Sequence, residues 1–355
     1  MTSSRHKIAA LLGMCLVVGA ACTSQAPTAT VTASPSPAPT GTPAAPTFAA
    51  SLVFTAAGDY GWTDRTTATL EGISRSGSEV HLALGDLSYS KKPEVEWCAY
   101  VRGIVGEELP IQVVAGNHEE DGAGDGHISR FRECLPDRMG STGAYGAEYY
   151  FEVGQLARFI IIAPDLTIDG KHYFYGESNE HEDWLTDAID GAHDAGIQWV
   201  IVGMHKSCLS VGEYYCNLYQ ELLTLLVEKK VDLVLHGHDH VYQRSRQLSE
   251  GSGCAAVVID EFDRDCVTEE GEDGVYAKDK GPIFVTVGTA GVDLYPIHRD
   301  DPEAGYIATF SGRNSDPRWG FLKVEIALDE LRAEFVGVTS GSEFTDSFRI
   351  RADPP

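Results

Sequence analysis

The chain has 355 residues and a formal net charge of −26 at pH 7, with 53 acidic side chains against 27 Lys and Arg. That imbalance argues against nucleic-acid backbones and anionic headgroups as partners, because long-range repulsion opposes their approach. A small phosphate ester stays admissible, since bound cations can dominate the field inside a site.

In chain order, residues 1–21 have a basic start (Arg5, Lys7), the apolar run IAALLGMCLVVGA and then small residues. This reads as a secretory signal, with an apolar core too short for a spanning helix. The segment GAAC leads into Cys22, the pattern of a bacterial lipoprotein signal, in which that cysteine becomes the lipidated first residue. Gly19 stands where that pattern usually has leucine, and an ordinary signal cut near Ala21 is the alternative. Residues 22–50 carry no charge and are rich in Pro, Ser, Thr and Ala, so they are expected to form an extended, disordered spacer. The expected location is outside the cytoplasm, at the outer face of the cell membrane through a lipid or freely secreted.

The folded domain is expected over residues 51–355. Apolar, β-branched runs at 51–57, 79–84, 110–115, 158–163, 197–204 and 231–236 read as strands covered on both faces. Between Glu180 and Ala195, Trp184, Leu185, Ala188, Ile189 and Ala192 share one helical face, with Asn179 and Glu182 spaced as a capping box. A second amphipathic helix is expected at 218–230. Residues 249–280 read as an acidic surface excursion, and the runs 282–288, 320–327 and 331–338 as late strands. This order of elements predicts an α/β fold of sheets sandwiched between helices. Six cysteines fall in the domain, and export favours disulfides. Proximity pairs Cys98 with Cys134, Cys208 with Cys216 and Cys254 with Cys266.

Polar residues follow the strands. The run 51–57 delivers Gly58-Asp59, and 79–84 delivers Gly85-Asp86 with Tyr89 three residues on. The run 110–115 delivers Gly116-Asn117-His118-Glu119, 197–204 delivers His205, and 231–236 delivers Gly237-His238-Asp239-His240. Ligands of open α/β sheets bind beyond the carboxyl ends of the strands, so all five segments should meet at one edge. Each is ordinary turn chemistry taken singly, and the histidines of HGHDH could simply face water. Together, carboxylate, imidazole, amide and phenol groups can hold two metal ions about 3.5–4 Å apart. A phenolate suits a trivalent ion, while His and Asn suit divalent Zn, Mn or Fe.

The strings GDYG, GDLSY, GNHE, VGMHKS and GHDHVYQRS resemble the five blocks of the purple acid phosphatases, a branch of the calcineurin-like metallophosphoesterase superfamily. The similarity runs from about Ser51 to about Leu328 and includes VTVG and DPRWGFLKVEI. The resemblance implies a two-sheet α/β/β/α sandwich and a metal-dependent phosphomonoesterase, with attack on phosphorus by a metal-bound hydroxide. It implies Fe(III) on Asp59, Tyr89 and His240, a divalent ion (Zn, Mn or Fe) on Asn117, His205 and His238, and Asp86 bridging them. His118 matches the substrate-contacting histidine of the family. Other branches carry a histidine two residues after the first Asp; Gly61 stands there in this chain, and Tyr89 favours the purple branch. Two departures stand out: KSCLSVGEYYCN holds Tyr214 and Tyr215 where the family often has histidines, and Asp239 lies where an uncharged residue is common. A phosphodiesterase or nucleotidase with the same site, and a non-enzymatic metal-binding surface lipoprotein, are the competing readings.

Overall fold

A computed structural model of the chain describes residues 50–176, 179–214 and 218–352. The sequence places its longest apolar runs in the middle of two large sheets. One sheet has seven strands, in spatial order Val275–Ala277, Ser347–Arg351, Glu330–Gly337, Gly320–Ala327, Ser51–Ala57, Val80–Ala83 and Ile111–Val113. The other has eight, in the order Ile307–Ser311, Tyr242–Ser245, Ile283–Val287, Leu233–His236, Trp199–Gly203, Ala157–Ile162, Glu148–Val153 and Thr142–Ala144. Ser51–Ala57, Val80–Ala83 and Ile111–Val113 run parallel, as do Ala157–Ile162, Trp199–Gly203, Leu233–His236 and Ile283–Val287. The strands that carry the candidate site are therefore the parallel ones, with Ile111–Val113 at the edge of its sheet, and they are buried along their length as their hydrophobicity requires.

The sheets pack face to face. Phe54 of the first meets Phe159 of the second edge-on at 5.0 Å, and the Trp199 indole donates across to the Ala327 carbonyl at 2.7 Å. Helices cover the outsides. Glu180–Asp194 begins at Asn179, whose side chain accepts from the His181 and Glu182 amides, and it buries Leu185, Ala188, Ile189 and Ala192. Gln220–Glu228 buries Leu222, Leu223, Leu225, Leu226 and Val227. Asp64–Arg75, Glu94–Val105 and Ile128–Cys134 are helices that the hydrophobic pattern does not announce, and the Cys98–Cys134 disulfide ties the last two together. Cys254 and Cys266 are also bonded. The third expected pair falls on Cys216, which lies outside the described residues, as do the signal and spacer segments and Cys22.

The 249–280 segment needs correction. It is not wholly a surface excursion, because Val275–Ala277 returns to the first sheet and pairs parallel with Ser347–Arg351.

Candidate metal centre

Three of the five strand ends of the expected constellation turn sharply. Asp59, Asp86, Tyr89 and His238 all sit in left-handed backbone, with φ of 67°, 52°, 48° and 68°. Such backbone costs a non-glycine residue about 1–3 kcal/mol and persists where surrounding contacts over-determine it. The neighbouring glycines show why there is no alternative. A Cβ on Gly116 would lie 2.0 Å from Asp86 Oδ1, and one on Gly237 would lie 2.8 Å from Asp59 Oδ2. The turns are also stitched to one another, by Asp59 N to the Gly85 carbonyl (3.1 Å), Tyr60 N to Asp86 O (3.0 Å) and Gly237 N to His205 O (3.0 Å).

All seven expected ligands and His118 come together at this edge. Tyr89 Oη lies 2.9 Å from Asp59 Oδ1, 2.9 Å from Asp86 Oδ2 and 3.0 Å from His240 Nε2. A second group forms around His205 Nε2, which is 3.2 Å from Asn117 Oδ1, 3.2 Å from Asp86 Oδ1 and 3.2 Å from His238 Nδ1. The two oxygens of Asp86 thus face different donor groups. The imidazoles are aimed by their other nitrogens: His205 Nδ1 donates to the Leu84 carbonyl at 2.7 Å and His240 Nδ1 to the Asp293 carbonyl at 2.9 Å.

Several observations fit a cationic occupant. Asp59 and Asp86 are buried, and among the described residues their ion pairs are with histidines alone. With Nδ1 donating to the Leu84 carbonyl, His205 turns its other nitrogen to two oxygens and to His238 Nδ1, a convergence of acceptors. Burial would raise the Asp86 carboxyl, but His205 and His118 outweigh it and hold it below the ordinary carboxylate range. Burial pulls His205 down, yet Asp86 and then Asp59 lift it to about 9. The Tyr89 phenol is pushed well above its usual value by burial and by the two carboxylates. The carboxylates draw positive charge to this site, and hard oxygen donors with imidazoles that give up their protons are a set suited to metal ions.

Three features escaped the sequence reading. Asp125 Oδ2 lies 2.6 Å from His118 Nδ1, leaving Nε2 turned toward Asp86 Oδ2 at 3.7 Å. Nothing in the spacing of that Gly- and Asp-rich loop singles Asp125 out. Glu119, part of the GNHE string, accepts the amides of Asp86 (2.8 Å), Leu87 (2.8 Å) and Gly116 (3.0 Å) and so holds two of the turns. Asp239 is more than a turn residue. Its buried carboxylate accepts the amides of Glu213 (2.8 Å) and Tyr214 (3.1 Å) and the Ser210 hydroxyl. His236, one residue outside the cluster, is a buried strand-end residue lying parallel to Phe284, with neither ring nitrogen partnered. Burial, with His205 nearby, lowers it to about 3. A separate group at the surface, Asp121, His127 and Asp169, has Asp169 paired to Arg132 at 2.5 Å.

Residues 52–242 match the calcineurin-like phosphoesterase family, and every strand end just described lies within that span. The chain belongs to this family. Among curated proteins it is 25% identical over 222 residues to purple acid phosphatase 18 of Arabidopsis thaliana, covering 59% of this chain and 48% of that protein. With purple acid phosphatase 21 of the same plant it shares 27% over 210 residues, covering 56% and 46%. The chain spans about half the length of these relatives. In structure it resembles the purple acid phosphatase PPD1 of yellow lupin, with a TM-score of 0.64 at 17% identity over 85% of this chain and 54% of that one. That likeness establishes the two-sheet metallophosphoesterase fold.

Proposed function

We propose that this calcineurin-like phosphoesterase is an exported phosphomonoesterase with a two-metal centre of the purple acid phosphatase kind. Asp59, Tyr89 and His240 would hold Fe(III), Asn117, His205 and His238 a divalent ion (Zn, Mn or Fe), and Asp86 both. The observation that carries the reading is the placement of Asp86, with one oxygen in each of two donor groups. The bound ions would neutralise phosphoryl oxygens and activate the attacking water. The chain supplies the rest. Its turns fix the donors before substrate arrives, so little reorganisation accompanies the reaction. His118, held at Nδ1 by Asp125, presents Nε2 to the centre, where it can stabilise the departing oxygen or give it a proton. Residues 1–21 would direct export and Cys22 would carry a lipid, with residues 22–50 as the tether.

The test is metal analysis of the purified protein alongside parallel assays of a phosphomonoester and a phosphodiester. Two ions per chain with faster monoester turnover is expected, and Asp86→Asn should lose metal and activity together. A fully metallated protein that releases no phosphate would overturn the catalytic reading and favour a metal-binding lipoprotein. Preference for the diester would move the assignment to a phosphodiesterase. Lipid labelling that survives Cys22→Ala would overturn the anchor.

A further inference from the structure

The two departures from the purple phosphatase blocks, Tyr214 and Asp239, turn out to be parts of one arrangement. Asp239 accepts the Tyr214 amide, and Gly212 passes so close that a Cβ there would lie 2.5 Å from the Asp239 carboxylate. This places the Tyr214 ring flat on His238, centroids 4.3 Å apart and planes 20° from parallel. Tyr295 does the same on His240, at 3.9 Å and 10°, with its amide tied to the His240 carbonyl at 2.9 Å. The two tyrosines meet edge to face at 5.7 Å, their hydroxyls 3.5 Å apart. Each ring thus backs an imidazole of one of the two donor groups. Tyr214 remains 39% exposed although its ring rests on His238. Beside it runs a groove of 330 Å³ whose walls include Glu213, His298, Asp300 and Pro302.

We infer that Tyr214 and Tyr295 form a leaving-group subsite that selects phosphomonoesters of uncharged aromatic alcohols. The inference rests on the proposed phosphatase reading. A phosphoryl group seated at the centre leaves its ester substituent to pass over the rim, and the exposed aromatic there is held in place by a buried carboxylate. Aromatic rings favour offset or edge contacts with other rings, while Glu213 and Asp300 repel anionic substituents.

Reactivity differs between aryl and alkyl esters for chemical reasons, so the test uses non-hydrolysable probes. Phenylphosphonate and methylphosphonate are titrated calorimetrically into the full-length metallated protein, so that binding is read whether or not phosphate is released. Phenylphosphonate should bind at least about threefold more tightly, in line with one aromatic contact. Tyr214→Ala should erase that preference, read as the ratio of the two affinities within the one variant, and Tyr214→Phe should keep it. Equal affinity of the wild-type protein for the two probes, or a preference that survives Tyr214→Ala, overturns the subsite while leaving the phosphatase intact. The wild-type comparison stands even where Tyr214→Ala does not fold. A metallated protein that binds neither probe and releases no phosphate overturns both readings.

Discussion

With Nδ1 engaged by Asp125, His118 has a single nitrogen left to face the centre, and its tautomer and tilt are set from outside the donor cluster. The Asp125 backbone is held in turn, its carbonyl accepting from the Ser88 hydroxyl at 3.1 Å. Asp125→Asn keeps the shape but weakens the hold on the imidazole. Turnover of esters with poor leaving groups should fall on the order of tenfold, and that of activated esters by less, because only the former need the proton. Metal content should not change. An equal loss on both classes of ester would show that Asp125 is structural. At Tyr89 the argument runs through charge: burial and two carboxylates oppose ionisation of the phenol, so only a strongly charged cation can hold it as phenolate. An iron-loaded, oxidised protein should therefore show a broad visible charge-transfer band, and Tyr89→Phe should remove it while the fold survives. A colourless iron-loaded wild type would leave Tyr89 a packed aromatic.

At the scale of elements, the central parallel strands were legible because burial on both faces writes itself as unbroken apolar sequence. Ser51–Ala57 falls where its run places it, and so does Gly320–Ala327, although that strand is antiparallel to both neighbours and only partly covered. Tyr242–Ser245 was not legible, since its residues are polar and yet buried: Arg244 is satisfied by Asp346, a hundred positions away in sequence, at 2.8 Å and 2.9 Å. Helix Asp64–Arg75 buries two threonines beside Leu70 and Ile73, which blurs its stripe. The site was readable for the same reason that the strands were, because each donor follows an apolar run. Asp125 and Tyr295 follow none. Strand Leu233–His236 also carries a pH-sensitive feature at its start. Asp232 accepts the Val200 amide at 2.8 Å, and burial raises it to about 6, since the nearby Lys278 is shared with Asp279. A raised carboxyl adds stability that is complete below about pH 4 and is lost as pH rises through about 6. The loss is on the order of a few kcal/mol. Asp232→Asn should therefore gain relative to wild type between pH 4 and pH 7 in denaturant titrations. A difference independent of pH would mean that Asp232 is ionised throughout.

For the whole molecule, the donors divide between the sheets. Asp59, Asp86, Tyr89 and Asn117 follow strands of the seven-stranded sheet, and His205, His238 and His240 follow strands of the eight-stranded one. Both donor groups draw on both sheets, so any ion held there joins the two halves of the sandwich at the edge where four donor residues are in left-handed backbone. Ions that bind the native state alone stabilise it by mass action, about 2.7 kcal/mol each when free metal exceeds its Kd a hundredfold. Chelation should thus lower the unfolding temperature, and adding metal back should restore it. Asp86→Asn provides the decisive comparison. It removes the one carboxylate common to both groups, so its unfolding temperature should respond little to chelator. Asn117→Ala, which removes a donor from one group alone, should keep part of the response. If chelation leaves the wild-type unfolding temperature unchanged although metal analysis shows the ions gone, the two sheets are held together by their apolar contacts alone, and the centre contributes chemistry without contributing stability.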